Sequence, residues 1–296
     1  MAADDESTVS ALLREAAAAI GRSRSIDHWQ PAQSRYDAEE LMLEVLGTPL
    51  DARVRRQKLA PAQRRRFATM VARRIDGEPV AQIRGHFEFR GLDLLVRRGV
   101  FAPRASSELL AAEAVATLRR ARPPRLAVDV ATGAGPLAIA MANGVPHAEV
   151  WGLDISPEAI RLCRANARRN QVDNVHFRLS DLLSALPSRL RGQVALITVH
   201  PPYVARGEVR ILPREIRDFE PVHTLTDGSA DGLGMVRDLT AAAQEWLRPG
   251  GRLYVEIGTY LARKTAATLR RGGLQEVTSK RDSLGVTRVI SGRTSR

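Results

Sequence analysis

The chain has 296 residues, of which 44% are apolar and 26% charged, and it carries a formal net charge of +12. That composition excludes a wholly disordered chain, and no apolar run reaches the ~18 residues that a membrane span needs. One cysteine, Cys163, excludes an internal disulfide and a cysteine-rich zinc site, and the acidic start Met1-Ala-Ala-Asp-Asp-Glu-Ser is unlike a secretory leader, so a reducing, cytoplasmic setting is expected.

Residues 7–20 and 34–47 read as helices, the second with Leu41, Leu43 and Leu46 at near-helical spacing. Residues 51–75 form a basic helical region with nine Arg or Lys and one acid, in which Pro61 starts a fresh helix. It reads as a solvated surface or as a docking face for an anionic partner. Of the 45 basic residues, 42 are arginine, and the positive balance favours anionic partners, RNA among them. With aromatics at only 4%, a stacking-based single-strand reader is disfavoured.

Glu88-Phe-Arg-Gly-Leu-Asp-Leu-Leu-Val reads as a hairpin, and 106–119 as an amphipathic helix. From Arg125 strands and helices alternate. Strands are expected at 126–130, 148–154, 175–179, 194–199 and 252–257, and helices at 136–142, 157–169, 235–246 and 261–270. Two β-rich segments, near 274–279 and 286–291, close the chain. The alternation predicts a parallel, doubly wound α/β sheet. Cys163 falls inside a helical pattern as a small core residue.

Asp129-Val-Ala-Thr-Gly-Ala-Gly-Pro follows the first strand and opens a helix. Gly133 and Gly135 let the backbone turn sharply and approach a ligand. Asp154 ends the next strand 19 residues after Gly135, where an acid accepts from the ribose hydroxyls of an adenosine cofactor. NAD and S-adenosylmethionine share this geometry, and with Ala138 in the third position the dinucleotide fingerprint is formally met. The fourth strand weighs against NAD. It runs into Val199-His-Pro-Pro-Tyr-Val, where two prolines fix a stiff turn that aims its flanking groups at one point.

This loop resembles the Asn-Pro-Pro-Tyr loop of amino-group methyltransferases. Over roughly 34–291 the sequence resembles the HemK/PrmC family of peptide-chain release factor glutamine methyltransferases. The likeness includes Asp37-Ala-Glu-Glu-Leu-Met-Leu, Arg73-Arg-Ile-Asp-Gly-Glu-Pro-Val, Gly85-His-Phe-Glu-Phe-Arg-Gly-Leu and Pro103-Arg104 with Glu108. It extends to Glu220-Pro221, Asp231-Gly-Leu and Pro249-Gly-Gly-Arg-Leu-Tyr-Val-Glu-Ile-Gly. The resemblance implies a helical, substrate-docking domain over 1–84, a hairpin-and-helix connector over 85–124, and a Rossmann-like class I methyltransferase domain over 125–296. It implies S-adenosylmethionine as cofactor and the glutamine of a release factor's Gly-Gly-Gln loop as substrate.

By position, the resemblance assigns Ala131, Thr132, Gly133, Ala134 and Gly135 to the methionine end of the cofactor, Asp154 to its ribose, and Asp181 and Leu182 to its adenine. It assigns His200, Pro201, Pro202 and Tyr203 to the substrate amide, with His200 bordering the cofactor as well. No metal is implied, and the other histidines, His28, His86, His147, His176 and His223, read as structural or surface residues. Three positions depart from the family pattern: His200 replaces Asn, Ser106 replaces an acid, and Ala131 replaces a glycine. A neutral imidazole offers one acceptor and one donor, as an amide does, on a larger ring, and protonation removes the acceptor. His200 and the basic balance keep a second reading open, transfer to another amino or amide acceptor such as an RNA base or a small metabolite. A weakly catalytic cofactor-binding protein is a third. No membrane partner is expected, and the sequence carries no signal of oligomeric state.

Overall fold

The computed structural model describes residues 8–27 and 32–295. His28 and the first residue of the expected 7–20 helix lie outside the described residues. The chain divides into two compact units, one comprising the chain up to Gly85 together with Ile211–Phe219, the other His86–Arg210 together with the chain from Glu220 on.

The first unit is helical: α1 (Val9–Gly21), α2 (Gln33–Leu46), α3 (Pro61–Ile75) and the short α4 (Val80–Arg84). Thr8 caps α1 by accepting from the Ala11 amide, and Pro61 opens α3, where its missing N–H has no consequence. The buried face of α2 is Ala38, Leu41, Met42 and Val45, whereas Leu43 and Leu46 are only half-buried. The expected 41/43/46 stripe is therefore corrected to one at i, i+3, i+4 and i+7. Nor is the basic segment all surface. Arg74 is buried, with Nε donating to Asp37 (2.6 Å) and Nη1 to Glu215 (2.7 Å), which ties the 211–219 excursion to α3 and α2. A buried guanidinium persists because carboxylates pair it.

The second unit begins with a hairpin, β1 (His86–Phe89) and β2 (Leu92–Leu95), turned by Arg90 and Gly91, both at positive φ. There follow α5 (Ser107–Arg120), β3 (Leu126–Val130), α6 (Pro136–Gly144), β4 (Glu149–Asp154), α7 (Pro157–Arg169), β5 (Val175–Leu179) and β6 (Val194–Val199). After a long connection come α8 (Gly234–Trp246), β7 (Leu247–Glu256), α9 (Ala262–Arg271), β8 (Gln275–Arg281) and β9 (Thr287–Arg293). The sheet order is β5-β4-β3-β6-β7-β9-β8. Every residue of β3 and β6 is buried, as the centre of a sheet covered on both faces requires.

The sheet departs from the expected all-parallel form at one strand, because β9 runs antiparallel to both neighbours. Only residues 282–286 join β8 to β9, too short a link for a parallel crossover. The strand order reverses between β3 and β6, which pair in parallel with Val130 opposite Val199. The loops leaving their carboxyl ends therefore open side by side at the switch point, where open α/β sheets take ligands.

Candidate active site

The loop after β3 is shaped by its backbone. Ala131, Gly133 and Gly135 all have positive φ, at 54°, 57° and 86°. A Cβ on Gly135 would lie 2.8 Å from Cys163 Cβ, so glycine there lets the loop sit directly on α7. Cys163 is buried behind it, and burial pushes its thiol up, away from thiolate chemistry. Below the loop, Asp129 is only 1% exposed and accepts from Thr132 Oγ1 (2.6 Å) and Thr198 Oγ1 (2.7 Å). Burial pushes its carboxyl up to about 7. Asp129 thus ties the loop to β6, while the Thr132 amide donates to Leu153 O (3.0 Å) and ties it to β4.

Asp154 closes the other side. Its Oδ2 accepts from the Gly133 amide (2.8 Å) and its Oδ1 from the Ser156 amide (2.9 Å). A carboxylate has about four lone-pair sites, so capacity for a diol remains. Burial raises its carboxyl above the ordinary range despite those donors. Beyond β5, Asp181 is exposed and Leu182 half-buried at φ 46°. Ile155 and Leu179, at the carboxyl ends of β4 and β5, are 54% and 53% exposed, and Asp154 pairs with Leu179 in the sheet. Sequence patterning does not single out this apolar pair, although large aliphatics at strand ends are its available signal.

The loop after β6 is built from side chains. Pro201 and Pro202 are buried, His200 and Tyr203 half-buried. The loop is anchored from behind: Pro202 O accepts from the Asp227 amide (3.2 Å), and the Val204 amide donates to Leu225 O (2.8 Å). The Phe101 ring meets His200 edge-on with centroids 5.5 Å apart, and Tyr203 stacks on it at 5.8 Å. His200 Nδ1 stands 3.5 Å from Ser107 Oγ and 3.6 Å from Glu256 Oε2. The Ser106 hydroxyl donates to Glu256 Oε1 (3.0 Å). Arg104 donates to buried Glu220 (2.7 Å) and lies over the Phe101 ring. Burial and the nearby Glu256 charge raise the Tyr203 phenol.

The structure thus brings Ala131–Gly135 and Asp154 together on one side of the switch and His200–Tyr203 onto the other, with Asp181 and Leu182 beyond β5. Asp129, Phe101, Ser107 and Glu256 complete the surroundings and were not expected as site residues. A carboxylate ending an apolar strand was the available signal for Glu256. Among the described residues no group of three His, Cys, Asp or Glu is arranged for a metal ion. His147, His176 and His223 are exposed, and His86 faces Asp93 at 3.3 Å. No helix of the described residues is long and apolar enough to cross a membrane.

Residues 126–259 match a family model described as a methyltransferase domain, and residues 11–85 one described as the PrmC N-terminal domain. A release factor glutamine methyltransferase from Geobacter sulfurreducens is 38% identical over 224 residues, 76% of this chain and 76% of its own. Another from Bordetella pertussis is 35% identical over 269 residues, 88% of this chain and 96% of its own. A solved methyltransferase structure from Pyrococcus furiosus shares the fold, with a TM-score of 0.51 at 16% identity, covering 78% of this chain and 100% of that one. At the identity and coverage of the two relatives, the chain belongs to the release factor glutamine methyltransferase family.

Proposed function

We propose that this chain transfers a methyl group from S-adenosylmethionine to the side-chain nitrogen of the glutamine in a release factor's Gly-Gly-Gln loop. The observation that carries the reading is the pairing of a glycine-turned loop and a Pro-Pro loop at the β3/β6 switch, in a chain of this family. The residues suit the cofactor. A Cβ on Gly133 would meet only Phe101 O, at 3.8 Å, so the loop offers bare backbone with room beside it. In this reading Ala131 to Gly135 hold the methionine end, Asp154 takes the ribose hydroxyls, and Asp181 and Leu182 border the adenine between exposed Ile155 and Leu179.

When bound, the cofactor supplies an electrophilic methyl whose bond to sulfur breaks as the bond to the acceptor forms. The chain's task is to present a poor nucleophile, because a carboxamide nitrogen has a delocalised lone pair. His200 accepts from one N–H of the amide, Pro201 and Pro202 hold the turn, and Tyr203 packs against the amide plane. Acceptors on the N–H groups orient the nitrogen and disperse the positive charge that develops on it. The helical unit with its basic 51–75 segment serves as the substrate-docking platform, and the reaction belongs to the cytoplasm, where peptide release occurs.

The net charge of +12 and the imidazole at position 200 favour one second reading, transfer to an amine of an RNA base. Methyl-labelled cofactor with purified chain and either release factor or total RNA separates the two. Label in the release factor, lost when its Gly-Gly-Gln glutamine is replaced, supports the first; label only in RNA overturns it.

A further inference from the structure

We propose that Glu256 is the positioning residue of His200: its buried carboxylate holds the imidazole as the Nδ1–H tautomer, so that Nε2 presents the lone pair to the substrate amide. This rests on the reading of the Pro-Pro loop as the amide-binding loop. Glu256 ends β7 at 2% exposure, between buried Val255 and Ile257. Its Oε1 is satisfied by the Ser106 hydroxyl. Its Oε2 is buried without a hydrogen-bond partner and faces His200 Nδ1 at 3.6 Å. A buried carboxylate oxygen left unpaired is costly, and a carboxylate can only accept. The state of His200 that answers it carries the proton on Nδ1.

The separation exceeds that of a formed hydrogen bond, and catalytic hydrogen bonds often tighten only when substrate binds. Ser107 Oγ, 3.5 Å from the same nitrogen, can donate or accept, and so adapts to the tautomer the carboxylate imposes. Phe101 and Tyr203 fix the ring plane. The neighbouring cations have acids of their own: Arg104 pairs with Glu220 (2.7 Å) and Arg288 with Asp282 (2.9 Å). Among the described residues Nε2 has no hydrogen-bond partner, which leaves it for a ligand. The proton balance follows. As the amide nitrogen gains the methyl carbon it sheds one proton, Nε2 takes it, and the imidazolium stands against the Glu256 carboxylate.

The Ser106 departure belongs to the same arrangement. An acid at 106 would set a second negative charge against Glu256, whereas the serine hydroxyl donates to it and leaves Oε2 for the histidine.

Nitrogen-15 spectra of the imidazole rings in alkaline buffer, with His200→Asn assigning the signal, read the tautomer directly. The expected result is Nδ1–H for His200 in the wild type. Glu256→Gln should shift it toward a mixture, because an amide can face the ring with its oxygen or its NH2. A wild-type ring in the Nε2–H form overturns the proposal without reliance on the folding of the Glu256 variant. In kinetics, Glu256→Gln should lower kcat about tenfold or more at unchanged cofactor KM, but less than about threefold in a His200→Asn background. Equal losses in the two backgrounds make Glu256 merely structural and overturn the proposal. If the wild type fails to label release factor, the proposed reaction falls instead, and the tautomer spectrum still decides the role of Glu256.

Discussion

Two loops leave adjacent strand ends at the centre of the sheet, and they are built by opposite means. Residues 131–135 form a main-chain structure, with three positive-φ residues and amide hydrogen bonds to Leu153 and Asp154. Residues 200–203 form a side-chain structure. The prolines donate nothing, and the His200 ring is surrounded by Phe101, Ser107, Tyr203 and Glu256. A site made of backbone needs only its own few residues and their neighbouring strands. A site made of side chains needs partners delivered by distant elements, so it tolerates a change such as His200 only when those partners suit it.

The most severe way to break this contrast is at Gly232, whose φ is 69° and where an added Cβ would overlap the Tyr203 carbonyl. A backbone group cannot swing aside as a side-chain tip can. Gly232→Ala should therefore lower unfolding free energy by about 3–5 kcal/mol, with activity lost in parallel. Urea midpoints check this, and an unchanged midpoint would show that the Pro-Pro loop is not held rigidly from behind.

Asp129 sharpens the comparison from the other loop. Its carboxyl is raised from 3.8 to about 7 in the folded protein, so the folded state binds the extra proton between those values. Its contribution to stability is full below about pH 4 and is lost as pH rises through about 7, a fall on the order of 2–4 kcal/mol. Asp129→Asn removes the titration, and its stability should lack that decline between pH 4 and 7. Denaturant titrations across the range, wild type against variant, decide the matter, and parallel curves would remove Asp129 from the account.

A smaller effect is expected at Asp154. Asp154→Ala should weaken cofactor binding by about 1.5–3 kcal/mol, the worth of a hydrogen bond to a charged group. Calorimetry with wild-type affinity in the variant would refute the ribose role. It would also reduce the carboxylate to a tether for the Gly133 and Ser156 amides.

The smallest change lies away from both loops. Replacing Arg64, Arg65 and Arg66 with Gln should weaken substrate association by less than about 1 kcal/mol, mainly through a slower on-rate with a shallower salt dependence. Cofactor affinity should stay constant. Arg66 already pairs with Glu44 at 3.0 Å, which is one reason to expect a modest effect. Unchanged on-rates at low salt would make these three arginines of α3 plain solvated surface.

The sequence by itself determined the elements and the first loop. Patterning located α1, α2 and the alternating strands and helices, because burial on one face or on both leaves a local pattern. Of the helical region expected over 51–75, by contrast, only Pro61–Ile75 is α-helix, and the burial stripe of α2 differs from the expected one. The glycines of 131–135 and the acid ending β4 were legible for the same reason: backbone turns and strand ends are local. Tertiary structure alone decided the rest. It buried Arg74 between Asp37 and Glu215, a pairing that spans units of sequence no window sees. It turned β9 antiparallel through a five-residue link. It set Ser107 and Glu256 within 3.5 and 3.6 Å of His200 Nδ1, and Ser106 against Glu256, although these residues lie far apart in the chain. Contacts between side chains far apart in sequence follow from packing two hydrophobic layers on one sheet, and nothing in the order of residues along each strand states them.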